Sequence, residues 1–374
     1  MVAVLGAAGT IAPAIVRDLG ESEDVSRMLL LDLDGIRAAA VAAEHGAGKA
    51  TAHSVDARDT NALVRRLAGV DVLLNTASYR INLDAMRACL TAGCHYLDLG
   101  GLYWMTTRQL ELAVDFERAG LLALLGIGSS PGKTNLMARH GVEQLGEGEA
   151  IESIEIVAAG RDPAAREGEL RLPYSLQTLL DELTLAPVVL RDGKPAEIEP
   201  LQAGGQVDFG DPIGRAPTIY TLHSELATFG ESFGCRAASF RLSLSPPLLE
   251  RLESLVGASD QELADAAAQA VPQSAQTVSV HLAIVTAASG RSAVVRSITR
   301  PHFGLGGSVI STATPAAAAV RLLGRGMIAA RGVLPPERCI DPRQMFAELE
   351  ARGASFSVTG TGSRRSARLC RRVR

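Results

Sequence analysis

The sequence predicts an α/β architecture: a parallel sheet built from βαβ units, then an α+β domain with an open antiparallel sheet. Three observations carry this. Over the first 130 residues, short apolar runs alternate with amphipathic stretches. A glycine-containing turn follows directly on the first apolar run, at Gly6 and Gly9. Near residue 150 the runs become longer, more polar and alternating. At 374 residues, two domains are expected. The boundaries read as 1–130 for the first domain and 131–305 for the second. Residues 306–352 form a helical segment returning to the first domain, and 353–374 a basic tail outside the fold.

The strands expected in the first domain are 2–5, 28–32, 52–55, 71–76, 95–98 and 121–126. They are Val- and Leu-rich and nearly continuous, as strands covered on both faces should be. Helical periodicity spans 82–92, with Leu83, Met86 and Leu90 on one side, and 106–119, with Leu110, Ala113 and Phe116. Gly93 and Gly120 stand where C-terminal caps belong. In the second domain a strand starts at Ile151. Segments 277–288 and 292–299 read as a hairpin, and 175–184, 247–256 and 260–270 as helices. Ala313 to Ala330 reads as a strong helix.

Composition excludes several classes. Thirty-seven basic and forty-one acidic side chains give −4, and aromatics are 4%, so neither a basic field nor stacking surface invites nucleic acid. No apolar run reaches the ~20 residues of a membrane span. The chain opens on Val2-Ala3-Val4-Leu5, a strand pattern rather than a signal peptide. Five cysteines (Cys89, Cys94, Cys235, Cys339, Cys370) form no Cys-x-x-Cys pair, which points to reduced thiols and a cytoplasmic location. Arginines crowd 364–374, the pattern of a solvated tail.

Gly6-Ala7-Ala8-Gly9-Thr10-Ile11-Ala12 sits between the first strand and a helix. Gly6 permits the tight turn, Gly9 lets the backbone approach a pyrophosphate, and Ala12 allows close helix–strand packing. The phosphates would rest on amides at the positive helix end, among them those of Thr10 and Ile11. This is the fingerprint of a Rossmann dinucleotide-binding domain. Asp32 closes the second strand twenty residues beyond Ala12, where an acid accepts ribose hydroxyls. It favours NAD; NADP stays open because Arg37 is near. Asp56 is a candidate adenine-side contact. Asn75 and Ala77, with Ser78 and Tyr79 after them, should reach the crevice at the strand ends, the first two toward cofactor and the latter toward substrate.

Three stretches then acquire meaning together: Asp71-Val72-Leu73-Leu74-Asn75, Gly93-Cys94-His95-Tyr96-Leu97-Asp98-Leu99-Gly100-Gly101, and Gly126-Ile127-Gly128-Ser129-Ser130-Pro131-Gly132-Lys133-Thr134-Asn135. With Tyr174-Ser175, Thr178 to Glu182, Tyr220 to Thr228, and the ending Gly326 to Asp341, the chain resembles the saccharopine dehydrogenase-like family along nearly its whole length. The resemblance implies a Rossmann domain, a substrate domain, a C-terminal helix rejoining the first, and nicotinamide-dependent hydride transfer at a carbon bonded to nitrogen. Where saccharopine reductase is similar to Gly-Leu-Asp-Pro-Gly, this chain has Gly128-Ser129-Ser130-Pro131-Gly132, which moves the reading toward a lysine 6-dehydrogenase-like activity.

An amine surrenders hydride only as its free base, so a proton acceptor is sought. Asp98 ends the fifth strand beside Gly100-Gly101 and is the first candidate. His223 with Glu225, two apart, is the second, since histidine titrates near neutrality. Tyr103, Asn135, Tyr220, Thr221 and Ser224 are candidate substrate contacts, and Trp104 a candidate pocket wall. Lys133 could anchor an anion. The charged segment 161–173, bracketed by Arg161 and Arg171, reads as a lid. No metal is expected, because Cys94 and His95 find no further ligands. A homodimer or larger homo-oligomer is expected from the sheet edge of the second domain. Two alternatives stand beside the dehydrogenase: reductive coupling of an amine with an aldehyde or keto acid, and a non-catalytic nucleotide sensor.

Overall fold

A computed structural model describes residues 1–166, 169–172 and 174–361. The first domain alternates strand and helix: β1 (Val2–Leu5), α1 (Ala12–Gly20), β2 (Met28–Asp32), α2 (Gly35–His45), β3 (Ala50–Ser54), α3 (Thr60–Leu67), β4 (Val72–Asn75), α4 (Asn82–Ala92), β5 (His95–Asp98), α5 (Leu102–Leu110), α6 (Ala113–Arg118) and β6 (Leu122–Leu124). The expected helix over 106–119 is two helices, interrupted at Glu111–Leu112.

The second domain follows with α7 (Lys133–Leu145), β7 (Ile151–Arg161), β8 (Arg171–Leu172), α8 (Leu176–Thr184), β9 (Val188–Arg191), β10 (Lys194–Glu197), β11 (Ala203–Asp208), β12 (Arg215–Tyr220), α9 (Leu226–Phe233), β13 (Ala237–Ser243), α10 (Pro246–Glu253), α11 (Asp260–Gln269), β14 (Val271–Pro272), β15 (Val278–Ala287) and β16 (Ser292–Thr299). The chain closes with α12 (Gly307–Gly324), β17 (Gly332–Leu334), α13 (Pro336–Cys339), α14 (Pro342–Glu350) and β18 (Ala354–Thr361).

The first sheet is parallel, in the order β17-β6-β5-β4-β1-β2-β3. Its order reverses between β1 and β4, where a crevice opens beyond the strand ends. The second sheet has nine strands, running β10-β9-β13-β7-β15-β16-β18, with β12 on β13 and β11 on β12. It is mixed rather than antiparallel, because β13 lies parallel to β7. Parallel neighbours require a crossover, supplied here by the long excursion from β7 through α8, β9 to β12 and α9. β15 and β16 form the expected hairpin.

Two C-terminal expectations are corrected. The helix expected over 313–330 runs from Gly307 to Gly324, and the chain then adds β17 to the edge of the first sheet beside β6. The tail expected from 353 instead begins as β18, paired along its length with β16. Phe356 stacks on Phe346 at 4.0 Å, which gives that strand an apolar anchor. The arginine-rich end lies outside the described residues.

α12 ties the domains together. One buried core runs from Val4 and Ile15 of the first domain through Ala316 to Val320 of α12 and on to Val285 and Val295 of the second sheet. Within this seam Arg321, 1% exposed, pairs with Asp18 of α1 at 2.9 Å and with Glu348 of α14 at 2.9 Å, while Arg352 reaches Asp18 at 2.6 Å. Taking one partner from a buried ion cluster leaves uncompensated charge in low dielectric. Arg321→Met is therefore expected to lower the unfolding free energy by about 3 kcal/mol. Urea denaturation checks this, and an unchanged midpoint would refute the role given to the bridge.

Candidate functional site

A cleft of about 840 Å³ lies between the domains, running from the glycine turn to the second sheet. The turn follows from local backbone demands. Gly6 has φ +82°, and a Cβ there would meet the Ala77 amide nitrogen at 2.5 Å. The Gly9 amide closes on the Gly6 carbonyl at 3.0 Å. α1 then starts without a side-chain cap, so its N-terminal amides face the cleft undiverted. Asp32 accepts from the Ala8 amide at 2.9 Å and from the Asp34 amide at 2.9 Å, which fixes its carboxylate beside the turn.

Of the cofactor residues expected from sequence, Gly6, Gly9, Thr10, Ile11, Asp32 and Ala77 line this cleft, as does Arg37. Asp56 does not. It pairs with Arg58 at 2.8 Å on the surface. Asn75 is buried below the crevice, donating to Asn82 Oδ1 at 2.9 Å and accepting from the Ala77 amide at 3.1 Å, so it shapes the loop rather than meeting a ligand.

Among the substrate candidates, Ser78, Tyr79 and Ser224 line the cleft. Tyr103 and Asn135 are buried elsewhere. Tyr103 packs edge-on against Trp104, and Asn135 caps α7 through the Gly132 amide at 2.8 Å while donating to Glu337 at 2.8 Å. Tyr220 ends β12 and is not among the residues that line the cleft, and Thr221 is buried. Arg161, Arg166 and Arg171 of the expected lid do reach the cleft wall.

Asp98 lies behind the residues that line the cleft. Its carboxylate is 1% exposed and faces inward. It accepts from the Gly126 amide at 2.6 Å, Gly100 amide at 3.0 Å, Gln109 at 2.7 Å and Asn82 at 3.2 Å. Burial raises its pKa, and these donors work against that rise. These four donors engage its lone pairs and tie it to the corner of the crevice.

His223 does line the cleft, stacked on Phe240 at 3.5 Å. Glu225 is fully buried behind it, 3.2 Å from Nδ1, and also accepts from Thr134 at 2.9 Å. Glu225 is therefore a partner of His223 rather than a cleft group. Glu182 of α8 lies 3.7 Å from Nε2 on the other side and accepts from the Tyr174 hydroxyl at 2.5 Å. Burial alone would lower the imidazole pKa, but the carboxylates of Glu225 and Glu182 outweigh it and push it to about 9. Glu182 and Tyr174 both line the cleft, and sequence reasoning left them without a role. The available signal was that both lie in the 174–182 stretch that carries part of the family resemblance. Nearby, burial and a 2.7 Å hydrogen bond to Asp181 push the Tyr79 pKa up to about 12.

A second polar group, beyond Ser129, was also missed. His281 of β15 meets Ser129 Oγ at 3.1 Å and Lys133 Nζ at 3.3 Å. Among the described residues, no three His, Cys, Asp or Glu side chains gather as a metal site, and no helix is long and apolar enough to cross a membrane.

Comparison with known proteins agrees with this geometry. Residues 2–124 match the family model of the saccharopine dehydrogenase NADP binding domain. Carboxyaminopropylagmatine dehydrogenase of Synechocystis sp. is 26% identical over 264 residues, which cover 68% of this chain and 65% of that protein. The chain thus spans just under two thirds of that relative's length. In fold it is similar to apo saccharopine dehydrogenase (L-Glu forming) from Saccharomyces cerevisiae, with TM-score 0.72, 16% identity, and coverage of 96% of this chain and 99% of that one. It is also similar to homospermidine synthase from Legionella pneumophila in complex with NAD, with TM-score 0.75, 11% identity, and coverage of 98% and 93%.

The His223 cluster yields a test independent of any ligand. A folded pKa of about 9 against the ordinary 6.5 of histidine means the imidazolium stabilises fully below about pH 6.5 and the gain is lost as pH rises through about 9. Lys133, held near 7 by burial, works in the opposite sense, so the informative quantity is a difference. His223→Gln is expected to cost about 3 kcal/mol near pH 6, because two carboxylates lose their cation. That gap to the wild type should shrink as pH climbs past about 9. Chemical denaturation across pH measures it, and a gap that stays constant would contradict the assignment.

Proposed function

We propose that this chain, which resembles the saccharopine dehydrogenase-like family, is an NAD(P)-dependent oxidoreductase acting on the C–N bond of an amino acid or related amine. The observation that carries the reading is a dinucleotide cradle and a carboxylate-flanked histidine opening on one cleft. Gly6, Gly9, Thr10 and Ile11 would hold the diphosphate and Asp32 the ribose, while Arg37 leaves room for a 2′-phosphate. Residues 1–130 would serve the cofactor, 131–305 the substrate, and 306–352 the clamp between them.

A bound nicotinamide supplies hydride acceptance or donation. The chain's own residues must deliver the amine uncharged. Glu182, at the cleft wall with Tyr174, would attract the substrate ammonium, and the charged His223 beside it would hold that carboxylate in place. Ser78 and Ser224 would hydrogen-bond a substrate carboxylate. Run in reverse, the same groups would reduce an imine formed from an amine and an aldehyde or keto acid. We place the protein in the cytoplasm, consistent with its free buried thiols, as a homodimer or larger homo-oligomer.

The test follows NAD(P)H in both directions, with NAD and NADP, against lysine, saccharopine and diamine–aldehyde mixtures. Turnover with at least one amine is expected. Glu182→Gln should cut kcat/KM about 100-fold while leaving dinucleotide affinity unchanged. Dinucleotide binding with no turnover across the panel would favour a sensor, and an unaffected Glu182→Gln would remove that residue from the reaction.

A further inference from the structure

Lys133 opens α7 after the Pro131-Gly132 turn and is 1% exposed. Among the described residues it makes no ion pair, which is costly for a buried ammonium. It does have three acceptors, as many as an ammonium has hydrogens: Ser311 Oγ at 2.6 Å, Thr299 Oγ1 at 3.2 Å and His281 Nδ1 at 3.3 Å. Burial lowers its pKa to about 7, so charged and neutral forms are both within reach near neutrality.

Hydrogen-bond accounting fixes the rest. If Lys133 donates to His281 Nδ1, the imidazole carries its hydrogen on Nε2 and gives it to Ser129 Oγ at 3.1 Å. Ser311, already accepting from Lys133, gives its own hydrogen to Ser129 Oγ at 2.7 Å. Ser129 then accepts twice, and its hydroxyl hydrogen is left for the cleft, which it lines. If Lys133 is neutral the path reverses: His281 donates from Nδ1 to the amine, Ser129 donates to Nε2, and Ser129 offers a lone pair to the cleft. His281 stays neutral in both cases, since burial, Lys133 and the nearby His223 cation all disfavour its charging. Glu225, which accepts from Thr134, the residue after Lys133, is also held by His223.

We propose that Lys133, His281 and Ser129 form a proton wire in which the buried lysine stores the proton exchanged at the cleft. This rests on the oxidoreductase reading above for its use, but not for its existence. In the outward direction the Ser129 O–H bond breaks as an acceptor in the cleft gains that proton. The His281 Nε2 proton moves to Ser129 Oγ, and the Lys133 Nζ proton moves to His281 Nδ1. The acceptor ends with one proton more, Lys133 with one fewer, and a proton leaving a substrate ammonium resets the chain. Ser129 is the catalytic residue of this set; His281 and Lys133 are relay groups acting through it.

Histidine-selective ¹⁵N NMR tests the wire without any substrate. The protein has seven histidines, and the His281 signal is identified by its loss in His281→Gln. The neutral ring should carry its hydrogen on Nε2 at about pH 6 and transfer to the Nδ1–H tautomer with a midpoint near pH 7. In Lys133→Met that response should vanish. One tautomer throughout, or an imidazolium, in the wild type would overturn the proposal. A second arm uses Ser129→Ala, at the cleft edge, where folding is least at risk. Its kcat should fall about 100-fold with dinucleotide affinity intact and the pH profile flattened. A folded Ser129→Ala enzyme with normal kcat and pH profile would also overturn it. If no amine is turned over by the wild type, the oxidoreductase reading fails while the tautomer measurement still decides the wire.

Discussion

One buried carboxylate fixes the ground on which the two domains meet. Asp98 gathers the amides of Gly100 and Gly126 and the side chains of Gln109 and Asn82 around the end of β5. Burying it raises its pKa, and the four donors offset much of that cost. The result is a tight corner. Gly100 sits at φ +125°, where a Cβ would strike Pro131 Cγ at 2.8 Å, and the Gly101 amide reaches Ser224 Oγ at 3.3 Å. Through Pro131 the corner positions α7, which carries Lys133. Through Ser224 it positions the segment bearing His223 and Glu225. Neither polar cluster could be aimed at the cleft if this corner were loose.

The cleft therefore holds two histidines in opposite states. His223, between two carboxylates, favours its charged form; His281, beside a lysine, favours its neutral form. Environments that push like groups apart are a way to separate acid and base duties within one site. Here the separation arises from fold topology: β15 brings His281 toward α7, whereas α8 brings Glu182 toward the loop before α9.

The parts readable from sequence were those whose partners are local. The βαβ alternation, the helix at 82–92 and the glycine turn depend on spacings of a few residues, and all were placed from sequence. Asp32 and Ala77 followed because strand ends of a parallel sheet share one crevice. Long-range pairing was not readable. The parallel match of β13 to β7, β17 joining β6, and β18 covering β16 are decided by packing across the chain. The same holds for side-chain direction. Asp98 stands at the strand end where a cleft residue belongs, yet its side chain turns inward; Glu182 and His281 gained meaning only from neighbours 41 and 148 residues away.

The central claim is that a dinucleotide lies along this cleft, from the glycine turn to the corner held by Asp98. Amide hydrogen exchange with saturating NADH or NADPH tests it most directly. Slowed exchange is expected together at Gly6–Ile11, Thr76–Tyr79 and Gly100–Leu102. Bound dinucleotide with exchange unchanged at those segments, or protection confined to another surface, would contradict it.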